Sequence, residues 1–275
     1  MTRILIALWL ILLPAFALAQ DAAAPAEGVA ADAAQLSAED DKGFITRFLE
    51  RNLSGAGRQV VIEGFEGALS SRATFDRMTI ADEDGVWITL IDGAIQWNRT
   101  ALFQRRIEIQ ELSAAEIELP RLPGGQSGPQ AEARDFELPT LPVAVAIEKI
   151  AAGRVELGEP VIGEAAVVSL DGAMNLAGGE GAARLAINRV DGKRGVFAVD
   201  AAYSNATTNL KLDLTLDEDQ GGLFANLIGL HGRPSVRAEI RGEGPLQDFA
   251  ADIRLATDGQ DRVTGRASAR AQAGE

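Results

Sequence analysis

From residue 59 onward, polar and apolar side chains alternate along the chain. That is the period of a strand with one dry face and one wet face. The clearest case is residues 209–217. Leu210, Leu212, Leu214 and Leu216 point one way, and Lys211, Asp213, Thr215 and Asp217 the other. Residues 236–241 repeat the pattern, with Val236, Ala238 and Ile240 opposed by three charged side chains, and residues 249–255 repeat it with Ile253 and Leu255. Earlier strands are expected over 60–63, 73–80, 86–91, 94–97, 106–112 and 116–119. Turn signals fall at Asp82-Glu83-Asp84-Gly85, Asp171-Gly172, Asp191-Gly192 and Asp258-Gly259, where Asp-Gly pairs suit tight hairpins. Regular spacing of strands and turns predicts an all-β chain, an antiparallel meander of hairpins. Residues 222–230 read as a short helix or an inserted apolar loop.

Two stretches depart from the period of two. In 38–57 the apolar positions Phe44/Phe48 and Ile45/Leu49/Leu53 recur at helical spacing. Ser37 stands ready as N-cap, and Gly55 and Gly57 as stops. This predicts one short amphipathic helix, which either caps a sheet or lies on a membrane. Residues 120–142 hold five prolines together with Gly124-Gly125 and Ser127-Gly128. Proline removes the backbone donor a ladder needs, so this is a linker. It separates a first β segment, 58–119, from a second, 143–275.

The N-terminus reads as an address rather than as part of the fold. Arg3 precedes an unbroken apolar run over 4–13, and Ala17-Leu18-Ala19 presents the small residues Ala17 and Ala19 that a signal peptidase recognises. Residues 1–19 are therefore expected to be a cleaved export signal, with a retained membrane anchor as the alternative, and 20–37 a flexible tether rich in Ala, Asp and Pro.

A dry sheet face has to be covered. At roughly 25 cal/mol per Å2, four leucines left in water would forfeit several kcal/mol. A second sheet, closure into a barrel, or a U-shaped sheet around an apolar groove would each cover it, and alternation alone does not choose among them. Composition narrows the function instead. The 275 residues carry 40 acidic and 26 basic side chains, one His and no Cys, for a net charge of −14. There is no disulfide framework, no Cys nucleophile and no His/Cys zinc site. The charge argues against nucleic acid as a partner. One Tyr and three Trp are too few for the aromatic girdles of an outer-membrane barrel.

Two segments carry a family resemblance. Gly43-Phe44-Ile45-Thr46-Arg47-Phe48-Leu49-Glu50 leads into Asn52-Leu53-Ser54-Gly55-Ala56-Gly57-Arg58. Then follow Ile62-Glu63-Gly64-Phe65-Glu66-Gly67-Ala68-Leu69-Ser70-Ser71-Arg72-Ala73, the stretch 79–87, and Trp97-Asn98-Arg99. Further on come Leu227-Ile228-Gly229-Leu230-His231-Gly232-Arg233-Pro234 and Gly242-Glu243-Gly244-Pro245-Leu246-Gln247-Asp248-Phe249. The chain resembles the N-terminal part of the TamB family of translocation and assembly module proteins over residues 38–265. The resemblance implies an elongated, taco-like sheet with an apolar groove, a periplasmic location associated with or anchored in the inner membrane, and a role in outer-membrane biogenesis. It implies two partners, an outer-membrane Omp85-type protein (TamA-like) and phospholipid acyl chains. Family members are far longer, so the second β segment is expected to be truncated, and the region that meets the outer-membrane partner to be missing from it. The groove lining would include Leu210, Leu212, Leu214, Leu216, Val236, Ala238, Ile240, Ile253 and Leu255. An exported structural or protein-binding β-sandwich is the alternative.

Candidate chemistry is sparse. His231 stands in a Gly- and Pro-rich turn without a recognisable catalytic partner. Asp82-Glu83-Asp84-Gly85 lacks the ligand spacing of a calcium loop. Gly242-Glu243-Gly244 continues to Gln247 where a dinucleotide fingerprint requires glycine. Asn52, Asn98 and Asn205 open glycosylation sequons, a matter of chance outside a glycosylating compartment. Trp87 and Trp97 read as sheet packing. No cofactor and no enzymatic activity are expected.

Overall fold

The computed structural model describes residues 59–67, 72–124, 137–139, 141 and 143–270. The expected export segment, tether and amphipathic helix lie outside the described residues. Within them the chain is mostly β. Its strands are β1 (Gln59–Glu63), β2 (Arg72–Asp82), β3 (Gly85–Asn98), β4 (Arg106–Leu119), β5 (Ala144–Leu157), β6 (Ala166–Ala177), β7 (Glu180–Arg189), β8 (Gly195–Ser204), β9 (Asn209–Glu218), β10 (Val236–Pro245), β11 (Asp248–Thr257) and β12 (Gln260–Arg270). A 3-10 turn, Arg99–Gln104, precedes β4, and two short helices, α1 (Glu159–Ile162) and α2 (Leu223–Leu227), sit in connections. The residues 222–230 thus contain a helix.

All twelve strands form one sheet, in chain order from β1 to β12. Among the described residues, β1 pairs only with β2, and β12 only with β11. The sheet is open, and the described residues contain no second sheet. Both expected β segments belong to this one sheet.

Three local expectations are corrected. The meander is not wholly antiparallel, because β4 and β5 run parallel. A parallel step needs a crossover of a dozen residues or more, and the Pro/Gly-rich stretch between them supplies it. Residues 86–91 and 94–97 are one strand, β3, and 106–112 and 116–119 are likewise one strand, β4. Asp171-Gly172 is not a turn but the middle of β6. There the backbone carbonyl of Arg184 lies 2.9 Å from where a Cβ on Gly172 would stand, so this glycine serves a close approach rather than a reversal.

Register builds the apolar face. Met78, Leu90, Ile117, Val155 and Val168 stand opposite one another in turn across β2 to β6. From β6 to β12 the row runs Leu170, Ile187, Phe197, Leu216, Ala238, Leu255, Val263. Simple alternation would fail in β5, whose run AVAIEKIAAGRVEL is irregular. Register shifts between Ile147 and Ile150 and between Ala152 and Val155 restore it. Each shift absorbs an extra residue as a bulge does, so all four side chains stay on the apolar side. The opposite face carries a row of charges, Arg184, Asp200, Asp213, Arg241, Asp252 and Arg266.

The largest cluster of buried side chains lies on the apolar face of β1 to β7. It includes Ile80, Val155, Val168, Leu170 and Leu185, and it is joined by Leu122 of the crossover and by Val161 and Ile162 of α1. Burial of each such side chain stabilises by roughly 1.5–3 kcal/mol.

Candidate functional site

Register places all nine expected lining residues on one face of three adjacent strands. Leu216 faces Ala238, which faces Leu255; Leu214 faces Ile240, which faces Ile253. Leu212 and Leu210 stand opposite Gly242 and Gly244, and Val236 opposite Glu218 and Thr257. The space a Gly242 side chain would take is filled from β11, where the Phe249 ring lies 2.6 Å from where a Cβ on Gly242 would stand.

Cover is uneven. Leu216, Val236 and Ala238 are buried beneath the β9–β10 connection, where Ala225 of α2, Phe224 and Leu230 pack on them. Leu210, Leu212, Leu214, Ile240, Ile253 and Leu255 are only half-buried. The same face continues through Phe197 and Val199 of β8. These two escape a search for clean alternation because their strand is diluted with alanine.

Charged residues end this face at its upper edge, the edge that holds α1 and α2. Glu218 and Arg189 continue the apolar parity, two places beyond Leu216 and Ile187. That parity is a readable signal, and strand ends are where it is easily passed over. The Glu218 carboxylate, 3% exposed, accepts the Phe224 N–H at 3.0 Å and the Ala225 N–H at 2.7 Å. It satisfies the first free donors of α2 from outside the helix. The Arg189 side chain is 4% exposed and bonds Asp191 at 2.8 Å and Glu164 at 3.2 Å. Glu164 also receives Arg233 at 2.6 Å. One carboxylate thereby ties the β5–β6 connection to the end of β7 and to the β9–β10 connection. Burial pushes the Asp191 carboxyl up, but the Arg189 hydrogen bond, the N–H groups of Lys193 and Val167 and the nearby positive charge hold it below its ordinary range.

The crossover is pinned at both described ends. Near β4, Arg121 bonds the Asp82 carboxylate at 2.9 Å, and the Gly124 N–H reaches the same group at 2.7 Å. These bonds hold the Asp82 carboxyl far below the usual carboxylate range, against the opposing pull of burial. The Asp82–Gly85 turn is therefore an anchor for the crossover. Near β5, the Leu138 N–H donates to Asn205 Oδ1 at 2.8 Å, and Asn205 Nδ2 donates to the Leu138 carbonyl at 2.7 Å.

The remaining candidates fall into place. His231 sits in an exposed turn, and Gly242-Glu243-Gly244 lies inside β10. Trp87 packs in the apolar cluster of β1 to β7, and Trp97 beside Phe65, Ala73 and Phe75. Asn98 accepts the Thr100 N–H at 3.1 Å at the start of the 3-10 turn. Asn52, Ala17 and Ala19 lie outside the described residues. Among the described residues no group of three His, Cys, Asp or Glu side chains could hold a metal ion, and no helix is long and apolar enough to cross a membrane. A depression of about 290 Å3 on the charged face involves Arg194, Asp217, Arg237, Arg254 and Asp261, all already engaged in ion pairs. What the apolar face can do chemically is replace water around hydrocarbon. No protein-family model, curated protein or solved structure matches this chain.

Proposed function

We propose that this is a TamB-like periplasmic protein, associated with or anchored in the inner membrane, that contributes to outer-membrane biogenesis. On this reading the apolar face is the floor of a U-shaped groove, and phospholipid acyl chains travel along it. Assembly or translocation of outer-membrane proteins with an Omp85-type partner belongs to the same reading. The observation that carries it is the half-buried row of Leu210, Leu212, Leu214, Ile240 and Ile253 on an open sheet. Water is a poor partner for so much contiguous hydrocarbon, and an acyl chain is a good one. The export signal and the two resembling segments supply the compartment.

The test is photocrosslinking in cells from Leu212 and Ile240. Phospholipid adducts at both positions are expected. Working crosslinkers that return no lipid at either would end the lipid reading. One observation favours the alternative of a protein-binding module, namely that Leu138, a piece of polypeptide, is seated on this face. Adducts to protein alone would establish that reading instead.

A further inference from the structure

We infer that Leu138, in the described segment 137–139 before β5, is a built-in competitor for the apolar face, and that Asn205 is the latch that holds it there. The inference rests on the acyl-binding reading above and concerns how that site is opened.

Gly181 of β7 stands opposite Leu176 of β6 and Tyr203 of β8, on the apolar face. A Cβ at Gly181 would meet Leu138 Cδ1 at 2.7 Å and Leu176 Cδ1 at 3.5 Å. The absent side chain thus leaves a hollow at the lower end of the face, and the leucine of the crossover fills it. Leu176 beneath is 2% exposed and Tyr203 7%. This part of the face is closed, whereas the neighbouring Leu210 and Leu212 are half-buried.

The way Leu138 is held marks it as removable. Its backbone N–H and carbonyl are both taken by one side-chain amide, Asn205, in the β8–β9 turn. Pro139 follows directly and has no N–H to extend a ladder. The segment cannot zip into the sheet, so its described backbone hydrogen bonds come from one rotatable amide, beside the packing of the Leu138 side chain. Chain geometry adds the other end. Leu122 packs on the apolar cluster, and Arg121 and Gly124 are fixed to Asp82. Both described ends of the crossover therefore lie on the face assigned to acyl chains. A chain running along β6 to β8 has to displace Leu138, and displacement breaks the two Asn205 hydrogen bonds. The seat is a leucine seat on hydrocarbon, so leucine and acyl chain compete for the same surface.

The protein has no cysteine, which allows a reversible lock. Leu138→Cys with Gly181→Cys in the full chain closes the latch on oxidation and frees it on reduction. The probe is a pyrene-labelled fatty acid, titrated by fluorescence. The oxidised form is expected to bind about five-fold or more weakly than the same protein reduced. Asn205→Ala in the cysteine-free chain is expected to bind about five-fold more tightly than the parent, the scale of lost hydrogen bonds. In the parent, saturating probe should speed hydrogen exchange at the Leu138 amide. Equal affinity of oxidised and reduced forms, with Asn205→Ala like the parent, would remove the latch and leave the acyl-binding reading standing. Failure of every form to bind would remove both.

Discussion

The apolar face is one surface with two regimes. Across β5 and β6 it is closed. Val155 and Val168 are each 2% exposed, and Leu122, Val161 and Ile162 come over from connections to pack on them. Across β9 to β11 the residues are as apolar and the alternation is cleaner, yet most of the row is half-buried, and Val263 on β12 is 50% exposed. Strand chemistry is therefore not what separates the halves. Connections do it: among the described residues, α1 and the ends of the crossover serve one region, whereas the other has only the β9–β10 connection over its upper end. A closed region contributes stability, and an open one leaves apolar area for something else to cover.

The largest expected effect tests that division directly. Leu170→Ala in the closed region should cost about 2–5 kcal/mol, a transfer loss plus a cavity. Leu214→Ala, where solvent or a neighbour can fill the space, should cost less than half as much. Urea unfolding of both variants decides, and equal losses would erase the distinction. Next comes Glu218→Ala, which strips the acceptor of two N–H groups from beneath the β9–β10 connection that covers the upper end of the open region. A loss of about 1–3 kcal/mol is expected, with faster exchange at the Phe224 and Ala225 amides. Unchanged exchange would mean that α2 does not depend on this carboxylate.

The two regions also differ in how far they could be read from sequence. β9, β10 and β11 are legible almost residue by residue, because strict alternation fixes the face, and a face shared by three strands needs only register. β5 is not legible in that way. Its two register shifts break the period, and only pairing with β4 and β6 shows that Ile147, Ile150, Ala152 and Val155 share a side. Asp171-Gly172 has the composition of a turn, but tertiary crowding at Gly172 decides otherwise. The parallel step was hidden because a long linker is compatible with either direction. In the candidate site, Arg189 and Glu218 follow from parity alone. The Asn205–Leu138 contact joins residues 67 positions apart and leaves no local signature.

Acid should loosen the closed region's anchor before it affects hydrocarbon packing. Asp82 is held low by Arg121 and by the Gly124 and Asp84 N–H groups, with burial opposing. Its folded pKa lies below the unfolded value of about 3.9. Protonation therefore favours the unfolded chain. The contribution is full at neutral pH and drains away as pH falls below about 4 toward the lowered value. Asp82→Asn should be less stable than the parent at pH 7, and the gap should narrow on acidification. A gap that stays constant from neutral to acid pH would show that Arg121 and Asp82 do not act as a charged pair.

The smallest effect belongs to the charged side of the open region and sharpens the contrast by its salt dependence. Arg241 bonds Asp213 at 3.0 Å with its own side chain 58% exposed, so Arg241→Ala should cost only a small fraction of what Leu170→Ala costs. The row gives that small cost a direction. Asp213 stands opposite Asp200 on one side and Arg241 on the other, and Arg241 stands opposite Asp252. Removing the arginine leaves carboxylates at three neighbouring positions with less positive charge among them. The loss should therefore be largest at about 0.01 M salt and vanish near about 1 M, where the screening length shrinks to roughly 3 Å. Leu170→Ala measured at the same two salt concentrations should cost nearly the same in both. If the Arg241 variant is equally indifferent to salt, the charged row does not help hold the open strands together, and backbone pairing with the half-covered leucines carries them alone.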